Sequence, residues 1–155
     1  MSIAEGSPAP DFTMPATGGR SVSLAAERGH PVVLYFYPKA DTPGCTKEAC
    51  AFQEALPALS RIGTTVIGVS RDTLPALERF AAKFNLGFPL ASDDTGVADA
   101  YGAWVEKSMY GKTYMGLDRS TILIDPEGRI ARIWRRVKVP GHAAEVAAAA
   151  AAIAK

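Results

Sequence analysis

Cysteine and histidine are both scarce in this chain, with two of each among 155 residues. A zinc site would need all four to converge without the paired spacing such sites show, so no metal is expected. His30 and His142 lie far in sequence from both thiols and from each other, and surface or helix-capping roles are expected for them. One-signed charge is also lacking: 17 basic residues face 16 acidic ones. The densest basic cluster is Arg132, Arg135, Arg136 and Lys138. It falls on an alternating strand pattern, which favours a solvated sheet face or edge over a nucleic-acid surface. No uninterrupted apolar run reaches the span of about 20 residues that a membrane helix needs. Residues 1–8 lack the basic start and apolar core of a secretory leader, so a cytoplasmic location without membrane association is expected. Glycine-rich phosphate loops and Ser-His-Asp arrangements do not occur, and no linker or repeat divides the chain. A single domain over 1–155 is therefore expected.

The two cysteines stand only five positions apart, as Cys45 and Cys50, directly after the apolar run Val32–Tyr37. The first falls where a strand gives way to a helix; the second lies within that helix. Unpaired backbone N–H groups and the positive end of the helix dipole favour an anion at such a start. A cysteine there leans toward the nucleophilic thiolate. Two helical Cα atoms five residues apart are roughly 8–9 Å from each other, turned by about 140° around the axis. A disulfide needs them within about 7 Å. If both cysteines occupy one regular helix, bonding them must unwind at least its first turn. In a chain of this composition, such a pair points to catalysis, sensing or metal rather than to a permanent staple.

The remaining elements follow from periodicity. Short strands at Phe12–Met14 and Val22–Leu24 flank the turn-prone Thr17–Gly19, predicting an N-terminal hairpin. Pro31–Tyr37 and Thr64–Ser70 read as strands buried on both faces. A helix from Pro43 toward Arg61 carries Phe52, Leu56 and Leu59 at helical spacing, and Pro57 should kink or loosen it near Gln53. A second helix over Leu74–Asn85 has Thr73 as its cap. Phe88–Leu90 reads as a short strand, Gly96–Tyr101 as a short helix, and Lys107–Gly116 as a polar loop. Ser120–Asp125 and Ile130–Val137 are strands joined by a turn at Asp125–Gly128. The alanine-rich stretch from Ala143 to Ala154 reads as a terminal helix, with Glu145 and Lys155 complementing its dipole. An α/β fold with a central mixed sheet flanked by helices is expected. Trp104, Tyr110, Tyr114 and Trp134 could border the active site, but aromatic core packing is the default expectation.

Pro38, Thr42 and Cys45 compose a Pro-x-x-x-Thr-x-x-Cys pattern that resembles the peroxidatic signature of the peroxiredoxins. With Cys50 added, the chain is similar to the peroxiredoxin Q subfamily, also called bacterioferritin comigratory protein. The resemblance extends over Ala9–Phe12, Tyr101–Gly102, Tyr110–Gly116, Arg119–Asp125 and Val137–Val139. It implies a thioredoxin-like fold and a thiol peroxidase that reduces hydrogen peroxide and organic hydroperoxides without metal, haem or flavin. By that resemblance Cys45 is the attacking thiolate and Thr42 bonds sulfur and peroxide. Pro38 shields the sulfur, and Arg119 binds the peroxide oxygens, with the amides of Gly44 and Cys45 completing an anion cradle. Read without it, Thr42 is a cap residue, Pro38 a loop-starting proline, Arg119 a strand-edge cation, and either cysteine a small core residue. Cys50 is expected to capture the Cys45 sulfenic acid as an intrachain disulfide. The family implies recycling by thioredoxin or a glutaredoxin-type donor, and the subfamily a monomer. Two alternatives remain: a thiol–disulfide oxidoreductase, whose cysteines are usually separated by two residues, and a non-catalytic redox sensor.

Overall fold

The computed structural model describes residues 3–154, so Lys155, assigned above to the end of the last helix, lies outside the described residues. Nine strands and four α-helices follow in chain order: β1 (Thr13–Ala16), β2 (Arg20–Ser23), β3 (Val32–Phe36), α1 (Pro43–Arg61), β4 (Thr65–Ser70), α2 (Leu74–Lys83), β5 (Leu90–Ser92), α3 (Val97–Ala100), β6 (Trp104–Met109), β7 (Lys112–Leu117), β8 (Ser120–Ile124), β9 (Ile130–Trp134) and α4 (His142–Ile153). Seven strands form one mixed sheet in the order β2-β1-β5-β4-β3-β8-β9. Central β3 runs parallel to β4 and antiparallel to β8. All five of its residues are buried, as a strand covered on both faces requires.

Alternation along β3 sorts the core into two layers. Val33 and Tyr35, followed by Tyr37, face Phe52 and Leu59 of α1, Leu77 and Phe80 of α2, and Val146 and Ala150 of α4. Val32, Leu34 and Phe36 face the N-terminal hairpin, α3 and Tyr101 on the other side. Because β8 is antiparallel to β3 and β9 to β8, the end of β3, the beginnings of α1 and β8, and the end of β9 share one end of the sheet. The start of α4, which follows β9, is tied to that end through His142, bonded to Thr121 of β8. The catalytic candidates gather there.

Several local features differ from the sequence reading. The stretch Lys107–Gly116, expected as a loop, belongs to a separate two-stranded hairpin of β6 and β7. Its tip leaves Met109, Tyr110, Tyr114 and Met115 exposed, so Tyr110 and Tyr114 are not core residues. Charged and polar residues interleaved with those apolar ones obscure the strand period. Strand β5 starts where Phe88–Leu90 was expected to end, and buried Phe88 packs beneath it instead. Helix α1, by contrast, runs through Pro57 to Arg61 as expected, a single lost amide donor being outweighed by the packing of Phe52 and Leu59. His142 is buried rather than superficial: its ring lies edge-on to Phe52 and Trp134, and Nε2 meets Thr121 Oγ1 at 2.8 Å.

Asp125 serves its turn, its Oδ1 accepting the amides of Glu127 and Arg129. Asp93, which sequence reasoning passed over, does more. It is 5% exposed; Oδ1 accepts from Thr95, Gly96 and Val97 N–H, and Oδ2 from Ala98 N–H. These are the amides that a helix start leaves without partners. Asp93→Ala should therefore lower unfolding free energy by about 2–3 kcal/mol, read as a lower urea midpoint at unchanged slope. A midpoint equal to wild type would refute that role.

Candidate active site

Helix α1 begins with Thr42 in extended conformation at the cap and Pro43 in the first turn. The first intrahelical bond is Thr46 N–H to Thr42 O at 2.8 Å. Pro43 has no amide hydrogen, and the N–H groups of Gly44 and Cys45 have no partner among the described residues. Cys45 thus sits in the first turn of a 19-residue helix, beside two free donors. Its side chain is 1% exposed and packs among Tyr35, Tyr37, Ala49 and Phe52.

Arg119 immediately precedes β8, where the pairing of Ser120 with Phe36 sets it beside the end of β3. Its guanidinium works as a fork. Nη2 donates to Cys45 Sγ at 3.4 Å, and Nη1 to Glu48 Oε1 at 2.6 Å. The approach depends on Gly44, since a Cβ there would stand 3.2 Å from Arg119 Nη2. Burial opposes the charge on Arg119, but Glu48 and Cys45 more than offset it, so the guanidinium stays a cation.

Glu48 is the functional residue the sequence reading missed. It lies one helical turn beyond Cys45 on the same face, a spacing that could have revealed it. The carboxyl is 1% exposed, and Oε2 has no hydrogen-bond partner among the described residues. Burial pushes it up to about 7, with the Arg119 charge and hydrogen bond pulling the other way. A short ion pair and a raised pKa coexist because one bond from Nη1 compensates only one of the two desolvated oxygens.

The other candidates take distinct places. Thr42 caps α1 by position, but its Oγ1 donates to Lys39 O at 2.8 Å and not to the sulfur. Pro38 is exposed just past buried Tyr37, at the mouth of the loop that leads into α1. That loop is fastened from behind: Ala40 N–H donates to Asp72 Oδ2 at 2.8 Å, an oxygen that also accepts from Ser70 Oγ. Asp72 is a second residue missed from sequence, since its partner lies 32 positions away. Cys45 and Cys50 are both free, within one continuous helix, and Cys50 is half-buried. Tyr35 and Tyr37, whose buried hydroxyls lack hydrogen-bond partners among the described residues, are held neutral, mainly by burial. Among the described residues, no cluster of His, Cys, Asp or Glu could hold a metal, and no helix is long and apolar enough to cross a membrane.

A buried thiol at a helix start, contacted by an obligate cation and flanked by two amides without partners among the described residues, can support a sulfur displacement on an anionic or polarised oxygen. Comparison with known proteins agrees with that chemistry. Residues 6–133 match the AhpC/TSA family. Peroxiredoxin Bcp of Bacillus subtilis is 44% identical over 146 residues, covering 94% of this chain and 93% of that protein. The structure of Xanthomonas campestris peroxiredoxin Q superposes with a TM-score of 0.89 at 45% identity, over 93% of this chain and 92% of that one. The bacterioferritin comigratory protein of the same organism, solved in trapped-intermediate and ligand complexes bearing on its alkyl peroxide reduction activity, gives 0.91 at 42% identity over 98% and 100%.

Glu48 sets a pH dependence. Because its folded pKa of about 7 exceeds the ordinary 4.5, the folded chain holds an extra proton between those values. Its contribution to stability is therefore full below about 4.5 and is lost as pH rises to about 7. Glu48→Gln should abolish that slope, and with it an inflection near pH 7 in the rate of Cys45 oxidation. Stability and rate profiles identical to wild type would exclude the assignment.

Proposed function

The chain belongs to the AhpC/TSA family, among its peroxiredoxins, and from that premise we propose a two-cysteine peroxidase cycle run by Cys45 and Cys50. The Cys45 thiolate attacks the terminal oxygen of hydrogen peroxide or an organic hydroperoxide. An S–O bond forms as the O–O bond breaks, and the leaving oxygen departs with both electrons and takes up a proton as water or alcohol. The observation that carries this reading is the Arg119 fork on Cys45 and Glu48. One guanidinium edge touches the nucleophile, and an in-line peroxide would meet the same cation while charge moves onto the departing oxygen. Free amides of Gly44 and Cys45 add donors at the helix start. Thr42 and Pro38 frame the entrance, and the Thr42 hydroxyl can still accept through its lone pairs.

Cys50 resolves the sulfenic acid. Its thiolate attacks the Cys45 sulfur, forming the disulfide and expelling the sulfenic oxygen as water after protonation. Since the two cysteines share an unbroken helix, Cys45 must leave its pocket and the first turn of α1 must unwind before they meet. Phe52, stacked on Tyr35 at 4.6 Å, holds the rest of α1 to the sheet during that change. A dithiol donor of the thioredoxin or glutaredoxin type supplies two electrons to restore both thiols. Intrachain pairing needs no second subunit, so the working unit is a monomer, and a cycle recycled by a dithiol donor suits a cytoplasmic enzyme.

Stopped-flow oxidation separates the roles. Cys45→Ser should abolish the fast phase, whereas Cys50→Ser should keep a single oxidation event and lose turnover with a thioredoxin system. Mass spectrometry of the wild type after one equivalent of peroxide should show loss of two hydrogens and a Cys45–Cys50 cross-linked peptide. A stable sulfenic acid or an intermolecular dimer would count against Cys50, and insulin reduction faster than peroxide turnover would favour a thiol–disulfide oxidoreductase.

A further inference from the structure

The basic run at the end of β9 is not absorbed by the peroxidase cycle. Arg135, Arg136 and Lys138 line a cavity of about 400 Å³ together with Gly141, His142 and Glu145, at the end of the sheet that also carries Cys45. Arg135 is a strut, its Nη1 donating to Ser120 Oγ at 3.1 Å and its Nη2 to Tyr101 O at 2.7 Å. Arg136 and Lys138 are exposed and form no ion pair among the described residues. The one lining carboxylate, Glu145, is already engaged: its Oε2 accepts from Trp134 Nε1 at 2.6 Å and Arg132 Nη2 at 3.3 Å. The cavity therefore carries uncompensated positive charge.

Two further features of the cavity point to an anion. Helix α4, 12 residues long, starts here from Gly141, which has no side chain to cap it, and the N–H groups of Ala143 and Ala144 have no partner among the described residues. His142, 6% exposed, turns its ring to this wall; Nε2 is paired with Thr121, while Nδ1 makes no hydrogen bond among the described residues. The cavity also adjoins the peroxide-binding arginine, since Val137 N–H donates to Arg119 O at 2.9 Å.

We propose that this cavity is a specificity subsite that takes the carboxylate of an organic hydroperoxide whose O–O group reaches Cys45. The planar Arg136 guanidinium and the Lys138 ammonium supply the charge, and the α4 amides supply directed donors. The inference rests on the peroxidase reading, yet the subsite can fail while that reading stands, because hydrogen peroxide has no group to place in the cavity.

The test compares wild type with the double variant Arg136→Ala, Lys138→Ala on three substrates: hydrogen peroxide, a neutral alkyl hydroperoxide, and a chain-matched hydroperoxide ending in a carboxylate. The wild type should prefer the carboxylate substrate over its neutral match, more at low salt than at high. The variant should lose about tenfold in kcat/KM on the carboxylate substrate alone, with the other two within about twofold. An unchanged preference, or an equal loss on all three substrates, would overturn the subsite. A wild type inactive on all three would instead overturn the peroxidase reading and the subsite with it.

Discussion

One half-buried cation holds the site together. Among the described residues, Arg119 alone hydrogen-bonds the side chains of both Cys45 and Glu48, and it does so from outside the helix that carries them. Glu48 is too deeply buried to stay comfortably ionised alone, and Arg119 is partly desolvated itself. Each makes the other tolerable, which fixes the guanidinium plane and aims its second edge at the sulfur. Had Arg119 been free to rotate in water, the same charge would act weakly and without direction.

The fold is arranged to deliver that contact. Register between β3 and β8 puts Arg119 next to the loop that opens α1, and Gly44 leaves room for the guanidinium to close on Cys45. Asp72 pins the loop from the far side through the Ala40 amide. Behind the sulfur, the aromatic wall of Tyr35, Tyr37 and Phe52 excludes water and anchors the lower part of α1. The same helix must supply rigidity for attack and looseness for resolution. The free amides at its first turn serve the former, and the absence of side-chain capping by Thr42 lowers the cost of the latter.

How far the sequence revealed this depended on whether information was local. The strand–helix boundary at Pro43, the extent of α1 to Arg61, the buried pattern of β3 and the turn at Asp125 are written in adjacent residues, and each was legible. Cys45 and Arg119 could be singled out because the motif and the segment after it match a family pattern. Glu48 was readable in principle from its helical spacing, yet a lone glutamate on a helix is ordinarily solvated. Asp72, Asp93 and His142 depend on tertiary partners that no spacing announces. The hairpin of β6 and β7 was misread because its glycines and charges resemble a loop, while its strands pair only with each other.

The central claim is that Arg119 acts through geometry as well as charge, spanning Glu48 and Cys45 with one rigid fork. The most direct test is the second-order rate of Cys45 oxidation by hydrogen peroxide in Arg119→Lys, followed by stopped flow. A lysine keeps the charge but cannot hold both partners at once, so the rate should fall by about 100-fold or more. A rate within about threefold of wild type would show that charge alone suffices and would contradict the account.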